Sequence, residues 1–493
     1  MSLNELCKKR TEINLVDGST KDLVGKMIIY TLPIVLVGLL QLLYSAFDLI
    51  VVQGHDGNLA AAAVGANNSL ISLITSGFLG LTNGVNVVIS RTYGKNERES
   101  CSRALHTSLV LSLIGGVLIG LLGYIFSKYF LEWMKVDVSY IDLADVYLKI
   151  YFIGLPFLSL YNFGTAILRG VGNSFTPLLF LIISGITNVI LNYTFVYAFN
   201  MGVSGVAWAT VISEGLSAFL TIGYLYLNKG FIRFRFKELK ISKDELLTIL
   251  RIGLPSGIQG IVFSISNVLL QTSVNTWGAD VVAANSDASS IEGFTYISMF
   301  AVSSTSSAFI SANYGRGFKE NIKKIILTTS IMVICIGLLF GGIELLFHRE
   351  LLEFYMGENV DLEVENYAVE RLIVILSTYW LCGLMDTECG TLRGLGYSIS
   401  PLIITLSSCC LFRVFWNAYI YSSEVGNQMH SLGVLYMCYP ISWLIAFAAE
   451  LVMIFALKKR YEKRIDENLV LYNKKHGMNW FINRYWIESI FFL

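Results

Sequence analysis

The sequence predicts an all-α integral membrane protein with twelve transmembrane helices. They form two tandem six-helix lobes related by a pseudo-twofold axis along the membrane normal. Three observations predict this fold class: an apolar composition, long apolar stretches and an internal repeat. Of the 493 residues, 54% are hydrophobic and 15% are charged, whereas roughly 25% are charged in a typical soluble domain. This composition excludes a soluble enzyme, a disordered chain and a secreted disulfide-bonded scaffold.

The apolar stretches define twelve segments, each long enough to cross a bilayer at about 20 residues per helix. They are called spans 1 to 12 and cover residues 27–53, 59–90, 103–126, 142–168, 177–199, 203–227, 248–276, 281–312, 323–347, 366–392, 399–421 and 431–457. An amino-terminal segment (1–26) precedes them, and a polar tail (458–493) follows. The end of the tail (477–493) is too short and too charged to span a membrane, so it either lies on the membrane surface or is disordered.

Lysine and arginine alternate between the two sides of these spans. The amino-terminal segment, every second loop and the tail, with the adjoining span edges, hold 30 of the 36 basic residues. The opposite loops hold only Lys128, Lys135 and Arg349. Because positively charged loops stay on the cytoplasmic side, the sequence predicts a multi-pass plasma membrane protein with both termini cytoplasmic. The formal net charge is zero, so nothing suggests nucleic acid as a partner.

The two halves of the chain repeat each other. Six of the ten residues in LRGVGNSFTP (168–177) recur in LRGLGYSISP (392–401), 224 residues later. Similar offsets relate ISRTYGKNERE (89–99) to ISANYGRGFKE (310–320) and TLPIVLVG (31–38) to GLPSGIQG (253–260). We therefore predict an N-lobe (27–227) and a C-lobe (248–457), joined by a cytoplasmic linker (228–247). Tandem halves of this kind are typical of secondary transporters that work by alternating access.

Motifs for other classes of membrane protein are not found. The sequence has no GxxxxGK[ST] nucleotide-binding loop, no HExxH and no GxSxG. We therefore expect neither an enzyme nor a bound cofactor, and expect an ion gradient (Na⁺ or H⁺) to drive any uphill transport.

Several segments resemble the multidrug and toxic compound extrusion (MATE) family. They are the repeat, the run YSAFDLIVVQ…LAAAAVG, residues 187–192 with the following MGVSGVAWAT, and AANSDASSIEGF in span 8. The resemblance covers spans 1 to 12. It implies two six-helix lobes forming a V, and export of small, mostly cationic, amphipathic compounds in exchange for Na⁺ or H⁺. We expect a monomer in the bilayer.

Acidic and amide side chains inside the spans indicate an ion site, because an ionisable group costs ~2.5–3.5 kcal/mol or more at the bilayer centre. Counted at ~1.5 Å per residue, Asp48 lies roughly 8 Å below the outer surface, and Asn192 and Thr210 lie near 10 Å. Asn188 lies one turn from Asn192. The resemblance implies that these four residues match the cation site of the family's amino-terminal lobe, with Asn192 where the family usually has Asp. A Na⁺ at Asp48 is the one metal expected. Helix–helix hydrogen bonding of purely structural purpose is the alternative role.

Further residues are candidates for contact with the substrate or for helix bending. Cavity candidates in the two lobes are Gln41, Tyr44, Glu214, Glu292 and Asp386, and hinge candidates are Pro33 and Pro255. The basic residues Lys149 and Arg371 lie near outer helix edges, where we expect them to snorkel. Arg413 lies mid-span and should have an acidic or carbonyl partner.

Three alternative functions remain open. A flippase for lipid-linked saccharides would need a basic cavity for a pyrophosphate, whereas acids outnumber bases inside these spans. A membrane enzyme would need a catalytic constellation that the sequence does not show. A non-transporting member of the fold would be compatible with the altered position Asn192.

Overall fold

The computed structural model describes residues 13–16, 20–356, 362–422 and 431–475, and all regular elements in this part of the chain are helical. In span order the helices are Thr20–Asp56; Asn58–Ala66 with Asn68–Gly94; Arg98–Trp133; Ile141–Gly170; Phe175–Tyr193 with the π-helical turn Thr194–Ala198; Gly202–Leu227; Lys243–Val274 with Asn275–Trp277; Ala279–Arg316; Lys319–Leu346; Leu362–Leu376 with Tyr379–Leu395; Ile399–Thr405, Leu406–Leu411, Phe412–Phe415 and Trp416–Tyr421; and Leu432–Tyr436 with Cys438–Lys475. Short helices at Phe236–Glu238 and His348–Met356 lie between spans. The all-α prediction is confirmed.

Eleven helical stretches in the described residues are long and apolar enough to cross a membrane. The helix of span 8, Ala279–Arg316, has 38 residues but is not among them, because its first half carries acidic, serine and asparagine side chains. The number of twelve spans therefore stays a prediction. The end of the tail, 477–493, lies outside the described residues.

The chain forms two compact units. The first consists chiefly of Ile28–Asn86 and Glu99–Ile261, and the second chiefly of Val87–Arg98 and the described residues from Val262 onward. Each has its own apolar core, built around residues such as Val206 in the first and Trp443 in the second. The division into lobes at the linker 228–247 stays a prediction.

Large apolar side chains also cover the outside of the helices. In span 3 they follow one another as Leu113, Ile114, Val117, Leu118 and Leu121, all exposed. Contiguous exposed apolar surface of this extent is rare in soluble proteins. It is the surface that a lipid bilayer would cover.

Both predicted hinge prolines lie inside helices that continue past them. Pro33 belongs to Thr20–Asp56 and Pro255 to Lys243–Val274. A proline at such a position removes one backbone hydrogen bond from the helix. Their role as hinges stays a prediction.

Within the first unit, spans 2 and 7 cross in backbone contact at glycines. A Cβ atom added at Gly80 would lie 2.1 Å from the Cα atom of Gly257. Small residues permit such approach between membrane helices.

We expect Gly80→Ala to lower the free energy of unfolding by about 1–3 kcal/mol, the usual cost of overpacking. Thermal unfolding of the purified protein in detergent measures this. Gly77→Ala, one turn earlier on the same helix, is the matched control, since its Cβ would come no closer than 3.9 Å to Ile261. Equal melting temperatures for the two variants would contradict the tight crossing.

Candidate functional site

Four polar side chains from spans 1, 5 and 6 meet in the first unit around the carboxylate of Asp48. Asn192 donates from Nδ2 to Asp48 Oδ1 at 2.6 Å, and Thr210 donates from Oγ1 to Asp48 Oδ2 at 3.1 Å. Asn192 Nδ2 also donates to Asn188 Oδ1 at 3.1 Å. Asn188 Nδ2 lies 3.5 Å from Thr210 Oγ1. The structure thus brings together all four residues that the sequence suggested; they are called the Asp48 cluster.

The sequence folds this way because of helical spacing. Asn188 and Asn192 are four residues apart in the helix Phe175–Tyr193, so both point to one face. That helix continues directly into the π-helical turn Thr194–Ala198. π-helical turns are rare and occur frequently at functional sites.

The Asp48 cluster is buried and keeps one unused hydrogen-bond acceptor. Asp48 is 7% exposed and Asn192 is fully buried. Both donors of the Asn192 amide point to acceptors, and its Oδ1 atom has no hydrogen-bond partner among the described residues. A buried carboxylate and a buried amide oxygen without a donor form a site that favours a cation or a proton.

The other N-lobe candidates lie outside this hydrogen-bonded cluster. Gln41 is exposed, and Tyr44 donates from its hydroxyl to the carbonyl of Leu181 at 3.0 Å. Glu214 is half-buried and lies one turn after Thr210 on span 6. Glu214 and Tyr44, which lies four residues before Asp48, are therefore each one helical turn from a member of the Asp48 cluster.

In the second unit, Glu292 is held by an arginine. Arg371 donates from Nε and Nη2 to the two carboxylate oxygens of Glu292, at 2.8 and 2.9 Å. Its Nη1 atom donates to Asn285 Oδ1 at 2.8 Å, and the hydroxyl of Tyr436 donates to the same oxygen at 2.8 Å. The carboxylate of Glu292 is therefore already neutralised by a bidentate partner.

This ion pair corrects one sequence-based expectation. Arg371 is 8% exposed and Glu292 is 4% exposed, so Arg371 points inward instead of snorkelling. The physical reason is that a guanidinium that points inward donates two charge-assisted hydrogen bonds to a carboxylate on another helix. The position of Arg371 near a helix edge does not reveal that partner. Lys149, its counterpart in the repeat, is partly exposed and pairs with Asp145 on its own helix at 2.7 Å.

Sequence reasoning missed the partners of this ion pair, Asn285 and Tyr436. Asn285 lies seven residues before Glu292, on the same face of the span 8 helix. That spacing alone would have predicted that Asn285 lies near Glu292. Asp386 is not hydrogen-bonded to Glu292, Arg371 or Asn285 in the described structure. It is half-buried on span 10, and its backbone carbonyl accepts a hydrogen bond from Ser303.

Arg413 was expected to have an acidic or a carbonyl partner, and among the described residues it has a side-chain carbonyl. Its Nη1 atom donates to Asn267 Oδ1 and its Nε atom to Ser442 Oγ, both at 3.0 Å. The guanidinium carbon also lies 4.4 Å from the ring centre of Tyr439 and 5.2 Å from that of Phe263. Arg413 is 1% exposed, so span 11 carries a deeply buried positive charge.

Comparison with known proteins identifies the family. The MatE family profile matches residues 33–194 and 255–419. The chain is 25% identical over 418 residues to "Probable multidrug resistance protein YpnP" of Bacillus subtilis, covering 85% of this chain and 93% of the relative. It is 24% identical over 444 residues to "Probable multidrug resistance protein NorM" of Thermotoga maritima, covering 89% and 93%.

Solved structures agree on the fold. A MATE transporter in complex with MaL6 superposes with a TM-score of 0.83 at 23% identity, covering 91% of this chain and 99% of the other. A MOP superfamily transporter from Pyrococcus furiosus superposes with a TM-score of 0.82 at 22% identity, covering 92% and 98%. Because the family profile covers more than half of the residues, the chain belongs to the MatE family of multi-pass membrane transporters.

Proposed function

We propose that this transporter is a secondary active antiporter. It exports small cationic, amphipathic compounds in exchange for H⁺ or Na⁺, from a plasma membrane in which it is a monomer with both termini on the cytoplasmic side. Its family and its multidrug-resistance relatives support efflux. The observation that carries the coupling step is the Asp48 cluster, with its buried carboxylate and its unused amide oxygen.

The cluster offers two ways to take up an ion. The oxygens of Asp48, Asn188, Asn192 and Thr210 are the hard ligands that an alkali cation prefers. Alternatively, a proton on Asp48 Oδ1 would face the Nδ2 donor of Asn192, now 2.6 Å away. The protonated oxygen and the Nδ2 group are then both donors, and two donors cannot form a hydrogen bond with each other. The Asn192 amide would then turn its unused Oδ1 atom toward Asp48 and release Asn188.

Either event changes the contacts between spans 1 and 5, which is what a coupled transporter needs. An ion shifts a conformational equilibrium only by its difference in affinity for the two states. Turning the amide provides such a difference, because Asn192 would lose its hydrogen bond to Asn188 and would accept, instead of donate, a hydrogen bond at Asp48. Ion entry from outside would thereby favour release of the exported compound.

The charges of the described residues support a cationic substrate in the first unit. Glu292 forms an ion pair with Arg371, so its negative charge is not available to a cationic substrate in this structure. Glu214 is half-buried and one turn from Thr210. We propose Glu214 as the acidic contact for the cationic group, with Tyr44 as an aromatic neighbour and Gln41 on the same face of span 1.

Purified protein in liposomes tests this function directly. Uptake of a fluorescent quaternary ammonium compound is followed under an outward Na⁺ gradient or, separately, an outward H⁺ gradient. A permanently charged compound is used because weak bases accumulate in acidic vesicles without a transporter. We expect one gradient to drive uptake, and an ionophore that collapses that gradient to stop it.

Empty liposomes and an equal K⁺ gradient are the controls. Absence of driven uptake under both gradients, across several organic cations, would contradict the antiporter. That outcome would favour the flippase for lipid-linked saccharides or the non-transporting member of the fold.

A further inference from the structure

Arg413 in the second unit has a hydrogen-bond donor that no described residue satisfies. Its Nε and Nη1 atoms have neutral partners in Ser442 and Asn267, while Nη2 is buried without a partner. The guanidinium is 1% exposed. A buried charge is costly unless it is paired, and in the described part of the chain no carboxylate forms an ion pair with it.

The neighbouring groups do not supply the missing negative charge. The rings of Phe263 and Tyr439 flank the guanidinium at 5.2 and 4.4 Å, and cation–π contacts of this kind stabilise a positive charge without neutralising it. The same Tyr439 ring lies 5.9 Å from Arg371. The charge of Arg371 is balanced by the two bonds to Glu292, whereas no carboxylate among the described residues balances that of Arg413.

Arg413 lies on a helix that corresponds, in the repeat, to one that carries the Asp48 cluster. Spans 7, 11 and 12, which carry Asn267, Arg413 and Ser442, are the repeat counterparts of spans 1, 5 and 6. At the offset of 224 residues that relates Pro177 to Pro401, Arg413 corresponds to Val189, next to Asn188. Span 11 is also π-helical on both sides of Arg413, at Leu406–Leu411 and Trp416–Tyr421, much as span 5 is after Asn192.

The two sets of helices therefore carry polar groups of opposite character. In the Asp48 cluster the charged group is a carboxylate, and the unsatisfied atom, Asn192 Oδ1, is an acceptor. Around Arg413 the charged group is a guanidinium, and the unsatisfied atom, Nη2, is a donor. An unsatisfied acceptor beside a negative charge favours a cation, and an unsatisfied donor beside a positive charge favours an anion.

We propose that Arg413, with Asn267 and Ser442, forms an anion-binding site that accepts a small monovalent anion at Nη2. The ligand is either a halide or the carboxylate group of a transported compound; both accept a charge-assisted hydrogen bond from a guanidinium. The site lies on the repeat counterparts of the helices that carry the Asp48 cluster, and its charge is of the opposite sign.

Thermal unfolding of the purified full-length protein in detergent tests the site. The melting temperature is measured as a function of the concentration of sodium chloride, sodium bromide or sodium acetate, with sodium isethionate, which carries no carboxylate, replacing each salt so that Na⁺ and ionic strength stay constant. We expect a saturable rise with chloride and bromide relative to isethionate, because a ligand that binds only the folded state stabilises it. A rise with acetate as well would identify carboxylates as ligands.

Variants assign the effect to Arg413. Arg413→Gln should weaken the apparent affinity for chloride by about tenfold or more, since it removes a charged donor, and Arg413→Lys should lose less. Lys149→Gln, which removes a positive charge in the first unit, is the matched control and should keep the full response. Asp48→Asn should also keep it, so that failure of the anion site and failure of the proposed coupling site are distinguishable.

Identical curves for chloride, bromide, acetate and isethionate, or a full response in Arg413→Gln, would overturn the proposal. If Arg413→Gln does not fold, crystals of the unaltered protein soaked in bromide decide the question. Anomalous density beside Nη2 of Arg413 is the expected result, and bromide found only elsewhere would refute the site.

Discussion

Replacing Asp48 by asparagine is expected to reduce gradient-driven uptake by roughly 10- to 100-fold, the loss that corresponds to removing hydrogen bonds to a charged group. Asn has nearly the same shape as Asp, so the variant removes the negative charge and the proton acceptor and replaces one carboxylate oxygen by an amide NH2 group. Because burying a charge is costly, we expect the melting temperature of Asp48→Asn to stay unchanged or to rise. The liposome assay and thermal unfolding measure the two effects.

Asp145→Asn is the matched control for this prediction. Asp145 is also a buried aspartate of the first unit, 7% exposed, but its hydrogen-bond partners among the described residues are Lys149 and Ser127 and not members of the Asp48 cluster. It should keep most of the uptake and lose some stability. If Asp48→Asn instead melts lower and transports normally, Asp48 is a structural helix–helix contact and the proposed coupling site is wrong.

Replacing Glu292 by glutamine is expected to lower the free energy of unfolding by about 3–5 kcal/mol, more than Gly80→Ala or Asp142→Asn. The change leaves the guanidinium of Arg371 buried at 8% exposure without a negative partner. Arg371→Gln should cost a similar amount, whereas the double variant should be more stable than either single one, because no unpaired charge remains. Thermal or denaturant unfolding of the four proteins gives the coupling energy between the two residues.

An exposed ion pair provides the comparison. Asp142 and Lys128 form a salt bridge in which the side chains are 83% and 52% exposed, so Asp142→Asn should cost less than about 1 kcal/mol. Transport by the double variant also separates two roles for Glu292. Restored stability with restored uptake indicates a structural pair, and restored stability without uptake indicates that Glu292 itself contacts the substrate.

Much of the candidate site was predictable because helical geometry is local. Asn188 and Asn192 share a face by their spacing of four, and the depths of Asp48, Asn192 and Thr210 follow from the rise per residue. Their approach to within hydrogen-bond distance was implied by the family resemblance and is seen in the structure.

The partners of the basic residues were not predictable in the same way. Lys149 and Arg371 occupy matching places in the repeat, yet one pairs with a neighbour on its own helix and the other with Glu292 on span 8. Pairing across helices depends on which faces pack together, and a single sequence carries no direct signal of that.

The sequence by itself determined the membrane environment, the helical fold class, the repeat and the most polar positions of the spans. Each of these depends on composition or on spacing along one helix. The tertiary structure decided that Glu292 is neutralised, that Arg413 faces a neutral amide and hydroxyl instead of an acid, and that Asn192 and Arg413 each keep an unsatisfied atom. Those facts depend on which side chains meet across helices, where burial makes every unpaired charge or hydrogen-bonding group costly.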